Sequence, residues 1–145
     1  MIERPTRDQY VYWEQVTTRW ADIDVYGHMN NARYFEIIDT VVNNQLAAST
    51  GVDIRALDAI GVVVEVGCRY FAEIGYPAPV DVGVVADKVG TSSVIYRVGL
   101  FQGDGEVAAA EGRFVHVYVD NTDPARPVTP MPDVIRAAVV PLLRG

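Results

Sequence analysis

Residues 19–34 of the chain have the sequence RWADIDVYGHMNNARY. An apolar-alternating run leads into this segment, Gly27 marks a turn within it, and the longest helical pattern of the chain begins at its end. Asp24 is therefore expected close to the start of a helix, where backbone N–H groups are unpaired and the helix dipole is positive. A carboxylate beside such an anion-binding position is suited to hydrolysis of an activated acyl group.

The same segment resembles a known family. Its pattern, R-W-x-D-x-D-x-x-G-H-M-N-N-x-x-Y-F from Arg19 to Phe35, is similar to that of the 4-hydroxybenzoyl-CoA thioesterase-like branch of the hotdog-fold acyl-CoA thioesterases. The resemblance implies one long helix wrapped by a curved sheet, an acyl-CoA substrate, and active sites that are shared between two protein chains.

The hydrophobic pattern also favours an α+β fold. Apolar residues recur every three or four positions from Asn31 to about Ser49, Asn30 or Asn31 suits the N-cap, and Gly51 suits the C-terminal stop. The alternation typical of strands precedes this helix once and follows it four times. Consecutive strands after a helix favour one curved, mostly antiparallel five-stranded sheet in a single domain of residues 1–145. The predicted strands are 11–20, 61–71, 80–89, 92–102 and 107–119, and a short helix is predicted from Pro132.

Composition narrows the classes of partner. The formal net charge is -7 and the pI is about 4.7, which argues against nucleic-acid binding. No apolar run approaches the ~20 residues of a membrane span. The N-terminal residues contain no apolar signal region, and Cys68 is the only cysteine. These two features predict a cytoplasmic protein without disulfides.

Asp24 is the candidate catalytic carboxylate. The residues alone leave open an Asp that merely forms a turn, whereas the resemblance implies the catalytic role for this second Asp of the motif. Asp24 would act as a general base on water or as a nucleophile, and the sequence does not separate the two. Asp22 would point the same way in an extended chain, and a structural role is favoured for it.

The turn after Asp24 is predicted to hold the thioester oxygen. One or two backbone N–H groups of the helix entry, Gly27 through Asn31, are the candidate donors, and those near Gly27 to Met29 are favoured. Gly27 permits a close approach of ligand. Asn30 is a candidate to position a carbonyl or a water, or else an N-cap. His28 lies in the segment, but the hydratases of this fold carry a Pro before their His and a different spacing, so a lesser role is predicted for His28.

Three residues outside this turn are candidates for substrate binding. Tyr34 is expected to form a pocket wall. Arg69 belongs to a basic set, with Lys88, Arg97 and Arg113, that is able to meet coenzyme A phosphates, and the resemblance implies that Ser93 lies near coenzyme A. Cys68 alternates with valines and is expected to be a small buried hydrophobe. The two His and one Cys show no metal-ligand spacing, so no metal or cofactor is predicted.

The sequence thus predicts an acyl-CoA thioesterase. An acyl-carrier-protein thioesterase, a non-catalytic acyl-CoA-binding module and an enoyl-thioester hydratase remain as alternatives. A homodimer or homotetramer is predicted, because one sheet covering one helix leaves apolar side chains on its outer face. These side chains are Val63, Phe71, Val85, Val89, Ile95 and Phe101.

Overall fold

A computed structural model describes residues 3–144, so the ends of the predicted 1–145 domain lie outside the described residues. The fold is α+β, with one long helix packed on a five-stranded antiparallel sheet, as predicted. Single turns of 3₁₀-helix occur at Arg7–Gln9, Trp20–Asp22, Ile54–Ala56 and Val140–Leu142. The main elements are β1 (Tyr12–Val16), α1 (Asn31–Thr50), β2 (Ala59–Tyr70), β3 (Val80–Val89), β4 (Ser93–Gln102), β5 (Ala110–Asp120) and α2 (Asp133–Val139).

The order of strands across the sheet is β1-β3-β4-β5-β2. β2 therefore pairs with β5 rather than with its successor β3, and it forms one edge of the sheet while β1 forms the other. The chain crosses from one edge towards the other between Tyr70 and Val80. This pairing was not predicted from the consecutive strand patterns, and it brings the end of β2 beside the start of α1.

Local capping sets the limits of α1. The Asn30 side chain accepts a hydrogen bond from the Ala32 N–H at 3.0 Å, and Gly51 ends the helix with a φ of +68°. Close packing on the sheet depends on Gly112 of β5, because a Cβ at this position would collide with the Ile38 side chain. The buried helix stripe consists of Tyr34, Ile37, Ile38, Val41, Val42, Gln45 and Leu46.

Three strand predictions need correction. The first strand ends at Val16 instead of continuing to Trp20, because the Asp22 N–H bonds to the Arg19 carbonyl at 2.9 Å and closes a 3₁₀ turn. β2 contains a bulge between Val63 and Glu65. The bulge places Val63 opposite His116, on the face that packs against α1, and not on the outer face as the alternation suggested. A bulge in β3 between Ala86 and Lys88 likewise places Val89 opposite Val94, in the core under α1 and not on the outer face.

The outer face of the sheet is covered in part by the chain itself. Tyr10 packs edge-on against Phe101, and Val85 and Phe101 are fully buried with it. Tyr10 crosses the sheet over Gly83 and Gly99, where a Cβ would collide with its ring.

Cys68 is only partly buried, and burial raises the pKa of its thiol to about 11.

Candidate functional site

Asp24 lies at the base of a closed loop that precedes α1. Ile23 and Met29 pair as an isolated antiparallel bridge, and the Asp24 N–H donates to the His28 carbonyl at 2.9 Å. The Gly27 N–H donates to the Asp24 carbonyl at 3.1 Å. Gly27 has a φ of +82°, which a residue with a side chain rarely adopts, so a glycine is required to close this loop.

The loop holds the Asp24 carboxylate by one of its two oxygens. Oδ1 accepts hydrogen bonds from the backbone N–H groups of Tyr26 at 2.8 Å and His28 at 3.3 Å. Within residues 3–144, no donor is bonded to Oδ2. The carboxylate is therefore oriented while one of its oxygens stays available for a proton or a carbon atom.

A cleft of about 450 Å³ opens beside this carboxylate. The loop contributes Asp24, His28 and Met29 to its walls, and α1 contributes Asn31 and Tyr34. The opposite wall comes from the end of β2 and the segment that follows it, namely Tyr70, Phe71, Ala72 and Glu73. The structure thus brings four of the predicted site residues, Asp24, His28, Met29 and Tyr34, to one cleft.

The N–H groups predicted to hold the thioester oxygen already have acceptors. Besides the bonds of Gly27 and His28 within the loop, the Met29 N–H donates to the Ile74 carbonyl at 2.8 Å, and the Asn30 N–H donates to the Asp22 carbonyl at 2.7 Å. The Asn31 N–H, in the first turn of α1, has no acceptor among residues 3–144. Asn31 lines the cleft, and its unpaired N–H is the donor of the predicted helix entry that remains available to a ligand.

His28 makes its contact on the far side of the cleft from Asp24. Its Nε2 lies 2.9 Å from an Oε atom of Glu73, and both side chains are largely exposed. Glu73 is 45 positions later in the chain and follows a strand, so no local pattern indicated this partner. The pair places one titratable group on each side of the cleft mouth.

Aromatic and amide side chains form the inner wall of the cleft. The rings of Tyr34 and Tyr70 pack edge to face with centroids 4.9 Å apart, and the Tyr70 hydroxyl donates to the Asn31 side-chain oxygen. Burial raises the pKa of the Tyr34 phenol. Asn30 caps α1 through its side chain and does not line the cleft.

Asp22 is a structural residue on the other side of the loop. Its carboxylate accepts hydrogen bonds from the Arg19 guanidinium at 2.7 and 3.0 Å and from the Arg19 N–H at 2.8 Å. Arg33 approaches to 3.3 Å. Burial acts to raise the pKa of Asp22, but these hydrogen bonds and charges outweigh burial, so the pKa is lowered.

Arg69 and Ser93 lie apart from the cleft and from each other. Arg69 lies opposite Glu111 of β5, whereas Ser93 lies opposite Val117 of the same strand. Glu111 and Val117 are about 20 Å apart along β5. Arg69 lines an outer-face groove with Arg97 and Arg113. Arg97 is already paired with Asp87 at 2.7 Å, and Arg113 is paired with Glu65.

Residues 3–144 contain no group of three or more His, Cys, Asp or Glu side chains arranged to hold a metal ion. Over the same range, no helix combines the length and hydrophobicity that crossing a bilayer requires.

Comparison with known proteins identifies the family. A sequence model of the thioesterase-like superfamily matches residues 18–139. The chain belongs to this superfamily. The matched range contains the Asp24 loop, the cleft and strands β2 to β5, whereas β1 lies before it. A search of curated proteins found no match to this chain.

Solved structures show the same hotdog fold. The PA5185 protein of Pseudomonas aeruginosa strain PAO1 is 38% identical, with 99% of each chain covered and a TM-score of 0.92. A 1,4-dihydroxy-2-naphthoyl-CoA thioesterase from Synechocystis is 14% identical, with 89% of this chain and 95% of that chain covered and a TM-score of 0.79. A gentisyl-coenzyme A thioesterase is 19% identical, with 88% and 98% covered and a TM-score of 0.74.

Proposed function

We propose that the protein is an acyl-CoA thioesterase, which hydrolyses an acyl-CoA thioester to the free acid and coenzyme A. The observation that carries this proposal is the Asp24 carboxylate, fixed through Oδ1 and free at Oδ2, in a cleft that also contains the unpaired Asn31 N–H. A base or nucleophile and an oxyanion donor are thereby available in one place.

The reaction needs no group beyond the protein and water. Asp24 takes a proton from water while the water oxygen attacks the thioester carbon, or Asp24 attacks first and the resulting anhydride is hydrolysed. In the first route the carbon–sulfur bond breaks after water has added, and in the second route it breaks as the anhydride forms, before water hydrolyses the anhydride. In both routes coenzyme A leaves as the thiol after it gains a proton. The Asn31 N–H at the positive end of α1 stabilises the oxyanion. A similar role for Gly27, His28 or Met29 requires one of their N–H groups to exchange its present acceptor.

The remaining predicted residues have supporting roles in this proposal. Asn30 holds the start of α1, which in turn fixes the position of the Asn31 N–H. Tyr34 forms the inner wall for the acyl group. Arg69 and Ser93 bind coenzyme A only in an assembly that brings them to the cleft of a second copy, because they lie outside the cleft of their own chain.

We further propose a homodimer, or a homotetramer built from two dimers, of single-domain chains in the cytoplasm. β2 supports the dimer because it is an edge strand with exposed apolar side chains at its centre, including Val64. Antiparallel pairing of two β2 strands would satisfy their free backbone groups and cover these side chains.

The test is release of free thiol from a panel of acyl-CoAs, from acetyl to palmitoyl together with benzoyl types. Turnover of at least one member by wild-type protein, with equal amounts of acid and thiol formed, is the expected result. Parallel assays with the same acyl groups on acyl carrier protein separate that substrate class. Tight binding of acyl-CoA without any thiol release would establish a binding module and contradict the proposal.

A further inference from the structure

A second cavity lies under the C-terminal half of α1, at the opposite end of the sheet from Asp24. Its volume is about 200 Å³, which exceeds a cavity known to hold benzene in another protein, ~150 Å³. Its walls are mostly apolar and come from both helices and two strands. They include Leu46, Leu57, Ile60 and Ile135, together with His116 and Tyr118.

Asn43 and Arg55 also line the cavity, but His116 is the polar side chain buried in its wall. The side chain is only 2% exposed, and it has no hydrogen-bond partner among residues 3–144, with Nδ1 fully buried. Edge-on rings of Phe114, Tyr96 and Tyr118 surround it, with centroids 4.8, 5.9 and 6.4 Å away. Contacts with these aromatic rings, rather than hydrogen bonds, therefore hold the imidazole in place.

The imidazole is also neutral and accessible from the cavity. Burial lowers the pKa of His116 to about 4, so at pH 7 the ring carries one N–H donor and one lone pair. Gly61 leaves room beside it, since a Cβ there would lie 3.0 Å from Nδ1. A buried ring nitrogen that lacks a partner, as Nδ1 does, is costly, and a ligand that supplies a partner recovers that cost.

We propose that this cavity receives the far end of the acyl group and that His116 determines specificity by favouring acyl groups that carry a neutral hydroxyl there. The inference rests on the proposed thioesterase function. A hydroxyl both donates and accepts, so it pairs with either tautomer of the imidazole. A hydrocarbon end leaves His116 unpaired. The neutral imidazole offers a carboxylate end no positive charge, and the Arg55 guanidinium of the cavity wall is already paired with Asp53.

In the proposed dimer, the cavity of one chain completes the Asp24 cleft of the partner chain, not the cleft of the same chain. Ile60 lines the cavity and Tyr70 lines the cleft, and ten residues of strand separate them by about 33 Å. When two β2 strands pair antiparallel about their exposed centre at Val64 and Glu65, Gly61 of the partner subunit lies opposite Cys68. That position is two residues from Tyr70, so the cavity of one chain adjoins the cleft of the other.

Ligand binding tests the cavity without any turnover. Phenol and toluene, which differ by the hydroxyl, are titrated into wild-type protein while backbone amide NMR signals are followed. We expect phenol to shift the signals of Gly61, His116 and Tyr118, with toluene binding about tenfold more weakly. The preference for phenol should disappear in His116→Phe and return in part in His116→Gln. Equal binding of the two probes, shifts located elsewhere or no binding by either probe would overturn the inference.

Turnover then separates the inference from the proposed function. The assays compare benzoyl-CoA with 4-hydroxybenzoyl-CoA and octanoyl-CoA with 8-hydroxyoctanoyl-CoA, which distinguishes aromatic from aliphatic acyl groups. We expect kcat/KM to favour the hydroxylated member of at least one pair by about tenfold, and the ratio to approach one in His116→Phe. Hydrolysis of both pairs without a preference would overturn the inference and leave the thioesterase intact. Phenol binding in the cavity without hydrolysis of any thioester would overturn the function alone.

Discussion

Asp22 and Asp24 are two positions apart, yet the structure gives them different surroundings. The 3₁₀ turn at Trp20–Asp22 breaks the extended geometry in which both side chains would point the same way. Asp22 is buried against two guanidinium groups, whereas Asp24 is held by backbone amides at the edge of a cleft. The motif fixes the residue types, but the turn decides which carboxylate is available for chemistry.

Replacement of Asp22 should lower stability more than activity per folded molecule. In Asp22→Asn the partly buried Arg33 guanidinium loses the buried one of its two carboxylate partners and keeps only the more exposed Glu36, which costs about 3 kcal/mol of unfolding free energy. Denaturant unfolding at pH 7 measures this cost. Asp53→Asn is the matched control, because its partner Arg55 is largely exposed and exposed pairs contribute little.

The contact between Asp22 and Arg33 also makes the effect of Asp22→Asn on stability depend on pH. Because the pKa of Asp22 is lowered in the folded protein, the pair stabilises the fold above the unfolded-state pKa of ~3.9. That stabilisation is lost as the pH falls through the lower folded-state pKa. The difference in unfolding free energy between wild type and Asp22→Asn should therefore be constant near neutral pH and shrink in acid. A difference that grows below pH 4 would contradict this account of Asp22.

His28 should matter less to turnover than Asp24. Its imidazole contacts Glu73 at the cleft mouth and makes no bond to the Asp24 carboxylate through its side chain. We expect His28→Ala to lower kcat by less than about tenfold, within the range of a lost positioning contact. A loss as large as that of Asp24→Asn, with unchanged circular dichroism, would place His28 in the chemical step.

At the scale of elements, prediction succeeded where the signals are local. Asn30 and Gly51 act within a few residues, and α1 accordingly extends over Asn31–Thr50, close to the predicted limits. β3 matches its predicted range as well. The bulge in β2 and the pairing of β2 with β5 depend on residues more than 40 positions apart, and no local pattern contains that information.

Gly51 offers a clean test of the helix stop. A side chain at φ +68° is strained although nothing lies within 4 Å of the new Cβ, so Gly51→Ala should lower the unfolding free energy by about 1 kcal/mol. Gly75→Ala is the matched control, since its Cβ also meets nothing and its φ is not in the left-handed region. Equal effects of the two substitutions on chemical denaturation would refute the conformational explanation.

For the whole molecule, the covered outer face changes the argument for assembly. Phe101 and Val85 were expected to need a partner chain, but Tyr10 already covers them. The apolar residues that remain exposed on the sheet include Val63, Val64 and Val66 in the middle of edge strand β2. An interface along β2 is therefore better supported than one across the outer face.

A charge at the centre of β2 should separate the protomers. Val64 is 58% exposed in the single chain, so Val64→Asp should leave the fold intact while it buries a charge in any β2–β2 interface. Light scattering should then change from about twice the chain mass of 15.9 kDa to a monomer. Val128→Asp, at an exposed loop position, should remain a dimer. A monomeric wild type with full activity would refute the shared site.

The candidate site was only partly predictable for the same reason as the sheet order. Asp24, His28, Met29 and Tyr34 belong to one continuous segment, and its motif located them. Tyr70 and Glu73 reach the cleft because β2 pairs with β5, which the sequence did not indicate. The N–H donors of the loop were misjudged as free. Gly27 and His28 donate to Asp24 within the loop, and Met29 donates to the Ile74 carbonyl, which lies far away in sequence.

The most direct measurement is kcat of Asp24→Asn on the best acyl-CoA of the panel. The substitution keeps the Oδ1 position that accepts the Tyr26 and His28 N–H groups but removes the basic oxygen, so kcat should fall at least 100-fold, or roughly 2.7 kcal/mol of barrier. Asp104→Asn, in the exposed turn between β4 and β5, should retain wild-type kcat. If Asp24→Asn keeps more than about a tenth of wild-type kcat, the carboxylate contributes less than ~1.4 kcal/mol, and the catalytic assignment is contradicted.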